Sequence, residues 1–367
     1  MRDEQASPIL PRMNLTNEQV MGALRLVKDP ELGKDLVTLN MVKRVEVSGD
    51  RVKLGVELTT PACPLKDQIK ADVEREVKKL GAKTVDIEFS AQVRGTPKLA
   101  GQLPGVKNII AVGAGKGGVG KSTIAVLAAV GLSREGARVG LMDADVYGPS
   151  IPKMVGIESE KPRVRGEKIV PLEAAGLKVM SMGFMVEPDR AVIWRGPMVH
   201  GVIKQFLEQV DWGELDYLII DLPPGTGDVP LTLSQSIPMT GAVVVCTPQE
   251  VALLDAIKAL RMYQQLNVPI LGIVENMSYF IAPDTKKEYD LFGRGGARKA
   301  AERVGVPFLG EIPININIRV SGDEGNPASN FEKPECAEPI MQFVRTLAGR
   351  ISVQNLSQAP MVELKIT

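Results

Sequence analysis

Aromatic side chains make up 4% of the 367 residues, too small a share for a surface that stacks nucleic-acid bases. Cysteine is scarce too. Cys63, Cys246 and Cys336 are the three present, too few for a disulfide framework and in keeping with a reducing compartment. The single histidine, His200, follows WRGPMV on an expected helix and reads as structural, so no Ser-His-Asp or Cys-His triad can be built on it. Neither sign of charge is in excess: 44 Lys and Arg balance 44 Asp and Glu, and no net field draws the chain to nucleic acid or to a membrane. No apolar run is long enough to span a bilayer. The opening MRDEQASPIL lacks the basic-then-apolar order of a signal peptide, and the tail ISVQNLSQAPMVELKIT is no basic amphipathic anchor. These absences lead to the expectation of a cytoplasmic protein with no nucleic-acid and no membrane partner.

What is present suits a globular chain of two domains: 44% hydrophobic residues, 24% charged residues and a length above that of one domain. Residues 1–93 read as a small α+β unit. Thr16 and Gln19 form a capping box, and Val20, Leu24 and Val27 follow on one helical face. Val45 and Val47, a Ser48-Gly49-Asp50 turn, and then Val52, Leu54, Val56 and Leu58 read as a hairpin. Leu65, Ile69, Val73, Val77 and Leu80 recur at helical spacing before a third strand through Val85, Ile87 and Phe89. Residues 94–106, rich in Gly and Pro, read as a linker. Over 107–350 the pattern changes to continuous apolar runs, each followed by a helical stretch: NIIAV, RVGLMD, DYLIID, GAVVVC, ILGIVEN and PFLGEI. This predicts an α/β fold with a mostly parallel sheet buried on both faces. A last helix is expected over Glu338 to Arg350, with a loose or edge-packed tail over 351–367.

Residues 115–122, GKGGVGKS, fit G-x-x-x-x-G-K-[ST] in full, after a strand and at the start of a helix near Ser122. Such a loop converges backbone N–H groups on phosphate oxygens. The phosphate cradle is therefore Gly115, Lys116, Gly117, Gly118, Val119, Gly120, Lys121, Ser122 and Thr123. Lys121 is placed for the β- and γ-phosphates of ATP, and Ser122 for Mg²⁺. Asp221, ending DYLIID before LPPGTGD, suits the carboxylate that holds Mg²⁺ through water. Asp145 suits a role in orienting the attacking water. Asp143 either supports the metal or caps its strand. A loop of this kind needs one lysine, yet Lys116 is a second. It is either a solvated loop residue or a cation pushed across a two-subunit interface onto the partner's γ-phosphate.

KGGVGKS with its early lysine resembles the deviant Walker A of the SIMIBI class, which holds MinD, ParA, the nitrogenase iron protein and ArsA. DADVYGPSIP (143–152), WRGPM (194–198), DWGELDYLIIDLPPGTGD (211–228) and GIVENMSYF (272–280) resemble the Mrp/ApbC family of iron–sulfur cluster carrier ATPases, from about Asn108 to about Asn326. DPEL (29–32) and TTPACP (59–64) are similar to the small iron–sulfur assembly domain often fused ahead of such ATPases. The resemblance implies a homodimer with ATP between subunits, Lys116 acting in trans, Asp145 on the water and Asn276 on the adenine. It also implies cluster transfer between an iron–sulfur scaffold and apo-protein clients, gated by ATP.

The chain departs from the family's pattern in two places. Asn315 stands where GEIP is usually followed by an aspartate one residue on. Ala282 and Thr285 stand where two cysteines usually supply half the ligands of a bridging [4Fe–4S] cluster. A chloroplast branch of the family also lacks the pair. Cys63, before a helix expected near Pro64, is then the candidate ligand or transfer thiol, against a reading as a small buried corner residue. Cys246 reads as core, and Cys336 as a loop residue without metal-ligand spacing. The alternative to a cluster carrier is a nucleotide-switched adaptor that holds no cluster. A MinD- or ParA-like positioning ATPase is a third reading.

Overall fold

A computed structural model of the chain describes residues 15–96, 103–185, 196–225 and 227–358. Trp194, Arg195, Thr226, linker residues 97–102 and tail residues 359–367 lie outside them. The chain divides into two units, one of Met1–Leu58 with Leu65–Gln92 and one of Thr59–Pro64 with Val93–Thr367.

The smaller unit opens on helix α1 (Asn17–Leu24), whose capping box closes in both directions. Gln19 N donates to Thr16 Oγ1 at 3.2 Å, and Thr16 N donates to Gln19 Oε1 at 3.0 Å. Strands β1 (Val42–Ser48) and β2 (Arg51–Leu58) pair antiparallel around Gly49, whose φ of 63° suits a residue without Cβ. Helix α2 (Lys66–Lys78) then crosses to β3 (Thr84–Ala91), which lies parallel to β2. The predicted alternation holds: Val52, Leu54, Val56 and Leu58 are buried, as are Val20, Leu24, Ile69, Val73 and Val77 from the two helices. Leu80 falls beyond the end of α2 and stays 39% exposed.

In the larger unit the elements run β4 (Ile109–Ala114), α3 (Lys121–Arg134), β5 (Val139–Asp143) and the short α4 (Ile151–Met154). A small hairpin, β6 (Arg163–Arg165) and β7 (Lys168–Val170), precedes β8 (Leu172–Ala174) and β9 (Leu177–Ser181). Then come α5 (Gly196–Glu208), β10 (Tyr217–Asp221), α6 (Asp228–Ser236), β11 (Gly241–Cys246) and α7 (Glu250–Gln265). The chain continues through β12 (Ile270–Ile281), β13 (Glu288–Tyr289), α8 (Gly296–Val304), β14 (Phe308–Ile314), α9 (Ile316–Glu324) and α10 (Pro334–Gln358).

Each of the six apolar runs forms a strand, and the sheet order is β13-β12-β11-β4-β10-β5-β9-β8, with β14 also on β12. The central pairings are all parallel, and antiparallel pairing is confined to β8 and β13. Every residue of β4, β5, β10 and β11 is buried, which is why these strands read as unbroken apolar runs. Full burial of one such Val, Ile or Leu side chain contributes about 1.5–3 kcal/mol. Helix α3 is buried nearly all round, lying between the sheet and α10, and Gly131 lets Val344 approach its backbone.

The last helix differs from the expectation at both ends. It begins at Pro334 and runs past Arg350 through Gln358, so the first part of the tail is helical. Its end is held by a buried polar network. Asn355 Nδ2 donates to Asn108 Oδ1 at 2.7 Å and to Arg94 O at 2.9 Å, and Thr96 Oγ1 donates to Asn355 Oδ1 at 3.1 Å. A polar residue on a buried face breaks the apolar periodicity, so the extension had no sequence signal. Cys336 is accordingly in the first turn of α10 and fully buried, not in a loop.

Candidate nucleotide-binding site

Strand β4 lies between β10 and β11, so the loop after it emerges at the centre of the sheet's carboxyl edge. The loop's shape depends on two left-handed glycines, Gly118 at φ 82° and Gly120 at φ 79°. A Cβ on Gly120 would collide with Asn276 Nδ2, and one on Gly115 would collide with the Asp255 carbonyl of α7. Lys121 is the first residue of α3, and the helix start has no side-chain cap. Its backbone donors are therefore left for an anion.

Register brings the acids together. Asp221 ends β10 directly beside Asp143, the end of β5, and beside Val112 of β4. Lys121 Nζ donates to Asp221 Oδ1 at 2.6 Å and to Ser122 Oγ at 3.2 Å, and lies 3.5 Å from Asp145 Oδ2. Lys121 and Asp145 are each 7% exposed, and Asp143 and Asp221 are fully buried. One cation thus faces a group of three buried carboxylates. Burial raises the Asp221 pKa, and the pull of Lys121 does not restore it. Asp221 Oδ2 is buried without a hydrogen-bond partner among the described residues.

Asp143 is bound differently. Its Oδ1 accepts from Asp145 N at 3.1 Å, and its Oδ2 accepts from Ser181 Oγ at 2.9 Å and Ile151 N at 3.2 Å. Burial, then the nearby Asp221 charge, push its pKa to about 8. Asp145 Oδ1 accepts from Tyr147 N and Gly148 N at 3.2 and 3.3 Å, folding the loop after β5 around itself. Lys116 is half-buried on the loop and has no ion-pair partner among the described residues.

Asn276 lies within β12, which runs on to Ile281 beyond the ILGIVEN run; it is 5% exposed, and its Nδ2 donates to Val119 O at 2.9 Å. It opens onto a cavity of about 690 Å³ that also exposes Thr123, Phe292, Pro313, Asn315 and Arg319. Asn315 caps α9 by accepting from Asn317 N at 2.8 Å. Sequence reasoning missed two supports of this region. Ser181 comes from β9 and has no local signal. Glu275 is fully buried and accepts from Ser278 Oγ at 2.5 Å, Gly295 N at 2.8 Å and Ala297 N at 2.7 Å, tying β12 to the start of α8. An acid inside the apolar run ILGIVEN was its available clue.

The cysteines do not gather at this site. Cys63 is half-buried, and α2 begins at Lys66 with Leu65 as its cap, so the thiol falls outside the helix's first turn rather than at it. Its segment packs at the opposite end of the sheet: the hydroxyls of Thr60 and Tyr217, at the start of β10, lie 3.0 Å apart. Cys246 is core, as expected, with burial and the Glu275 charge pushing its thiol up to about 12. Ala282 and Thr285 sit in the turn between β12 and β13, closed by Lys286 N donating to Ala282 O at 2.9 Å. His200 is exposed on α5. Among the described residues no three His, Cys, Asp or Glu side chains form a metal cage, and no helix is long and apolar enough to cross a membrane.

A glycine loop between a central parallel strand and an uncapped helix, with a lysine at the helix start and an acid ending the next strand, defines a P-loop NTPase. The family model described as NUBPL iron-transfer P-loop NTPase matches residues 105–351, and one described as iron-sulfur cluster assembly protein matches residues 17–89. An iron-sulfur cluster carrier protein of Deinococcus radiodurans is 52% identical over 348 residues, 94% of this chain and 98% of that protein. One of Escherichia coli K12 is 42% identical over 357 residues, 95% of each chain. A chloroplastic Fe-S cluster assembly factor of Arabidopsis thaliana is 46% identical over 340 residues, 90% of this chain and 62% of that protein. Among solved structures, a nucleotide-binding protein of Archaeoglobus fulgidus in complex with ADP is 42% identical. It matches with a TM-score of 0.58 over 66% of this chain and 95% of that one. The chain belongs to the iron-transfer P-loop NTPase family of iron–sulfur cluster carrier proteins.

Proposed function

We propose that the chain hydrolyses ATP as a homodimer and uses the nucleotide state to control delivery of an iron–sulfur cluster to apo-proteins. The observation that carries this reading is the buried Lys121–Asp221–Asp145 group beneath the loop, with Asp221 Oδ2 unpartnered among the described residues. A fully buried carboxylate oxygen without a partner is costly unless a ligand answers it. The donor set of Ser122 hydroxyl and Asp221 carboxylate is all oxygen and fits Mg²⁺, which is normally held by few protein groups plus phosphate oxygens. When bound, Mg²⁺ supplies positive charge to those oxygens.

The protein's own groups do the rest. Residues 115–123 present backbone donors to the phosphates, and Lys121 leaves its carboxylates to neutralise the β- and γ-oxygens. Asp145, held by two backbone amides, orients the attacking water. Asp143 holds the loop that carries Asp145, since hydrogen bonds from that loop and from Ser181 engage both its oxygens. Lys116, half-buried and without an ion pair, reaches the partner's γ-phosphate. The dimer reading is supported by apolar residues exposed after the carboxyl ends of neighbouring strands: Tyr147 at 78%, Val251 at 67%, Leu254 at 54% and Leu231 at 42%. Lys116→Ala is expected to keep ATP binding and lose hydrolysis and ATP-dependent dimerisation. Wild-type turnover in that variant would remove the trans role.

The cargo is the cluster, and the residues for it are sparse. Ala282 and Thr285 offer no thiolate, which leaves Cys63 as the candidate transfer thiol. The test is anaerobic reconstitution with iron and sulfide, followed by absorbance and an iron count per dimer, repeated with Cys63→Ser. Iron that falls with Cys63→Ser supports the carrier. Colourless protein in every case supports the second reading, an adaptor that holds no cluster.

A further inference from the structure

Asp145 sits on the loop between β5 and α4, and one carboxylate holds that loop at both ends. Asp143 Oδ1 accepts from Asp145 N at 3.1 Å, and Asp143 Oδ2 accepts from Ile151 N, at the start of α4, at 3.2 Å. Both donors are backbone amides of the loop itself. They tie the loop to the carboxylate but would move with it, so they do not fix where the carboxylate points. A third donor comes from outside the loop. Ser181 ends β9, pairs with Asp143 in the parallel register of β5 and β9, and donates from Oγ to Asp143 Oδ2 at 2.9 Å. Ser181 is fully buried, and its Oγ in turn accepts from Gly183 N at 2.9 Å, in the 3₁₀ turn Met182–Met185. That turn also rests against the loop: a Cβ on Gly183 would stand 3.2 Å from Ser181 Oγ and 3.4 Å from the Pro149 side chain.

We infer that Ser181 is a positioning residue for hydrolysis, holding Asp145 in place through the Asp143 carboxylate. This rests on the reading of Asp145 above as the group that orients the attacking water, and adds to it the anchor that Asp145 depends on. Ser181 touches neither nucleotide nor water. It joins the carboxylate to β9 and its turn, an anchor independent of the loop. Without the hydroxyl, Asp143 is held by two amides of the very loop it has to hold, and Asp145 gains freedom. A displacement of about 1 Å at a group that orients a reactant can cost about a hundredfold in rate. The phosphate cradle of residues 115–123 lies on a different loop and keeps its own geometry. The effect therefore falls on turnover and not on nucleotide affinity.

The test measures kcat for ATP hydrolysis and the affinity for ATP in the full chain, in Ser181→Ala and in Ser181→Thr, which keeps a hydroxyl. Thermal unfolding checks that each variant is folded at the assay temperature. Ser181→Ala is expected to lose about tenfold or more in kcat while ATP affinity stays within about twofold. Ser181→Thr is expected to recover most of that loss. A role in packing alone would move affinity and turnover together and would not follow the hydroxyl. Wild-type kcat in Ser181→Ala, a matching loss of ATP affinity, or a threonine variant as slow as the alanine one would each overturn the inference and leave the nucleotide site standing. Wild-type turnover in Asp145→Asn would instead overturn the reading of Asp145, and this one with it.

Discussion

Asp216, just before the short strand β10, and Asp221, its last residue, have opposite fates. At the amino end, Asp216 accepts from Lys107 Nζ at 2.8 Å, from Arg138 N at 2.9 Å and from Arg138 Nε at 3.4 Å. Burial pushes its pKa up, but Lys107 and Arg138 outweigh that and hold it below the usual carboxylate value. At the carboxyl end, Asp221 shares one lysine with its neighbours, keeps one oxygen unpartnered and has a raised pKa. The first is a satisfied ion pair that fastens the sheet. The second is an acid with one oxygen left without a partner among the described residues. The contrast shows that the place to look for chemistry is the under-compensated acid, not the most buried one.

Substituting the two acids is the strongest way to break the comparison. Asp221→Asn should reduce ATP turnover by about two orders of magnitude or more, as loss of a charge that acts in the transition state does. Its folding stability should stay within about 1 kcal/mol, because the lost ion pair is offset by the removal of a buried charge. Steady-state hydrolysis and urea unfolding measure the two effects. Asp216→Ala should do the reverse, costing about 1–3 kcal/mol of stability while ATP affinity is unchanged. Equal loss of turnover in both variants would show that the two ends are not separable.

The pH dependence of unfolding sharpens the same contrast. The folded pKa of Asp216 lies below the unfolded value of 3.8, so its stabilisation is complete above that pH and is lost as pH falls further. Asp143 lies at about 8 when folded against 3.8 unfolded, so the folded state binds its proton more tightly and stability is lost as pH rises between those values. Asp143→Asn should therefore flatten the decline in urea stability between about pH 4 and pH 8. A decline as steep as in the wild type would assign it to other groups. The smallest effect belongs to neither end. Thr16→Ala removes the capping box of α1 and should cost the smaller unit about 1 kcal/mol, read by its own unfolding transition, with hydrolysis untouched.

Much of this was legible from residue order. The six apolar runs read as buried parallel strands, because a strand covered on both faces cannot alternate. GKGGVGKS between a strand and a helix specified the phosphate loop, since its glycines meet a local backbone demand. Asp143, Asp145 and Asp221 were recognisable as strand-end acids. Their ranking was not, because it depends on Ser181 of β9 and on amides across the loop, which no spacing encodes. The end of α10 was misjudged for a similar reason: Asn355 looks like a surface residue until Asn108, Arg94 and Thr96 are brought around it.

The sequence by itself determined the fold class, the phosphate loop, the family and the absence of the Ala282–Thr285 cysteine pair. Each of these is carried by residues close together in the chain. Tertiary structure alone decided which acid is unsatisfied, that Cys63 packs away from the loop, and that Asn276 and Asn315 line one cavity. Burial, charge compensation and amide orientation are set by partners that lie far apart in the chain and meet only when it folds.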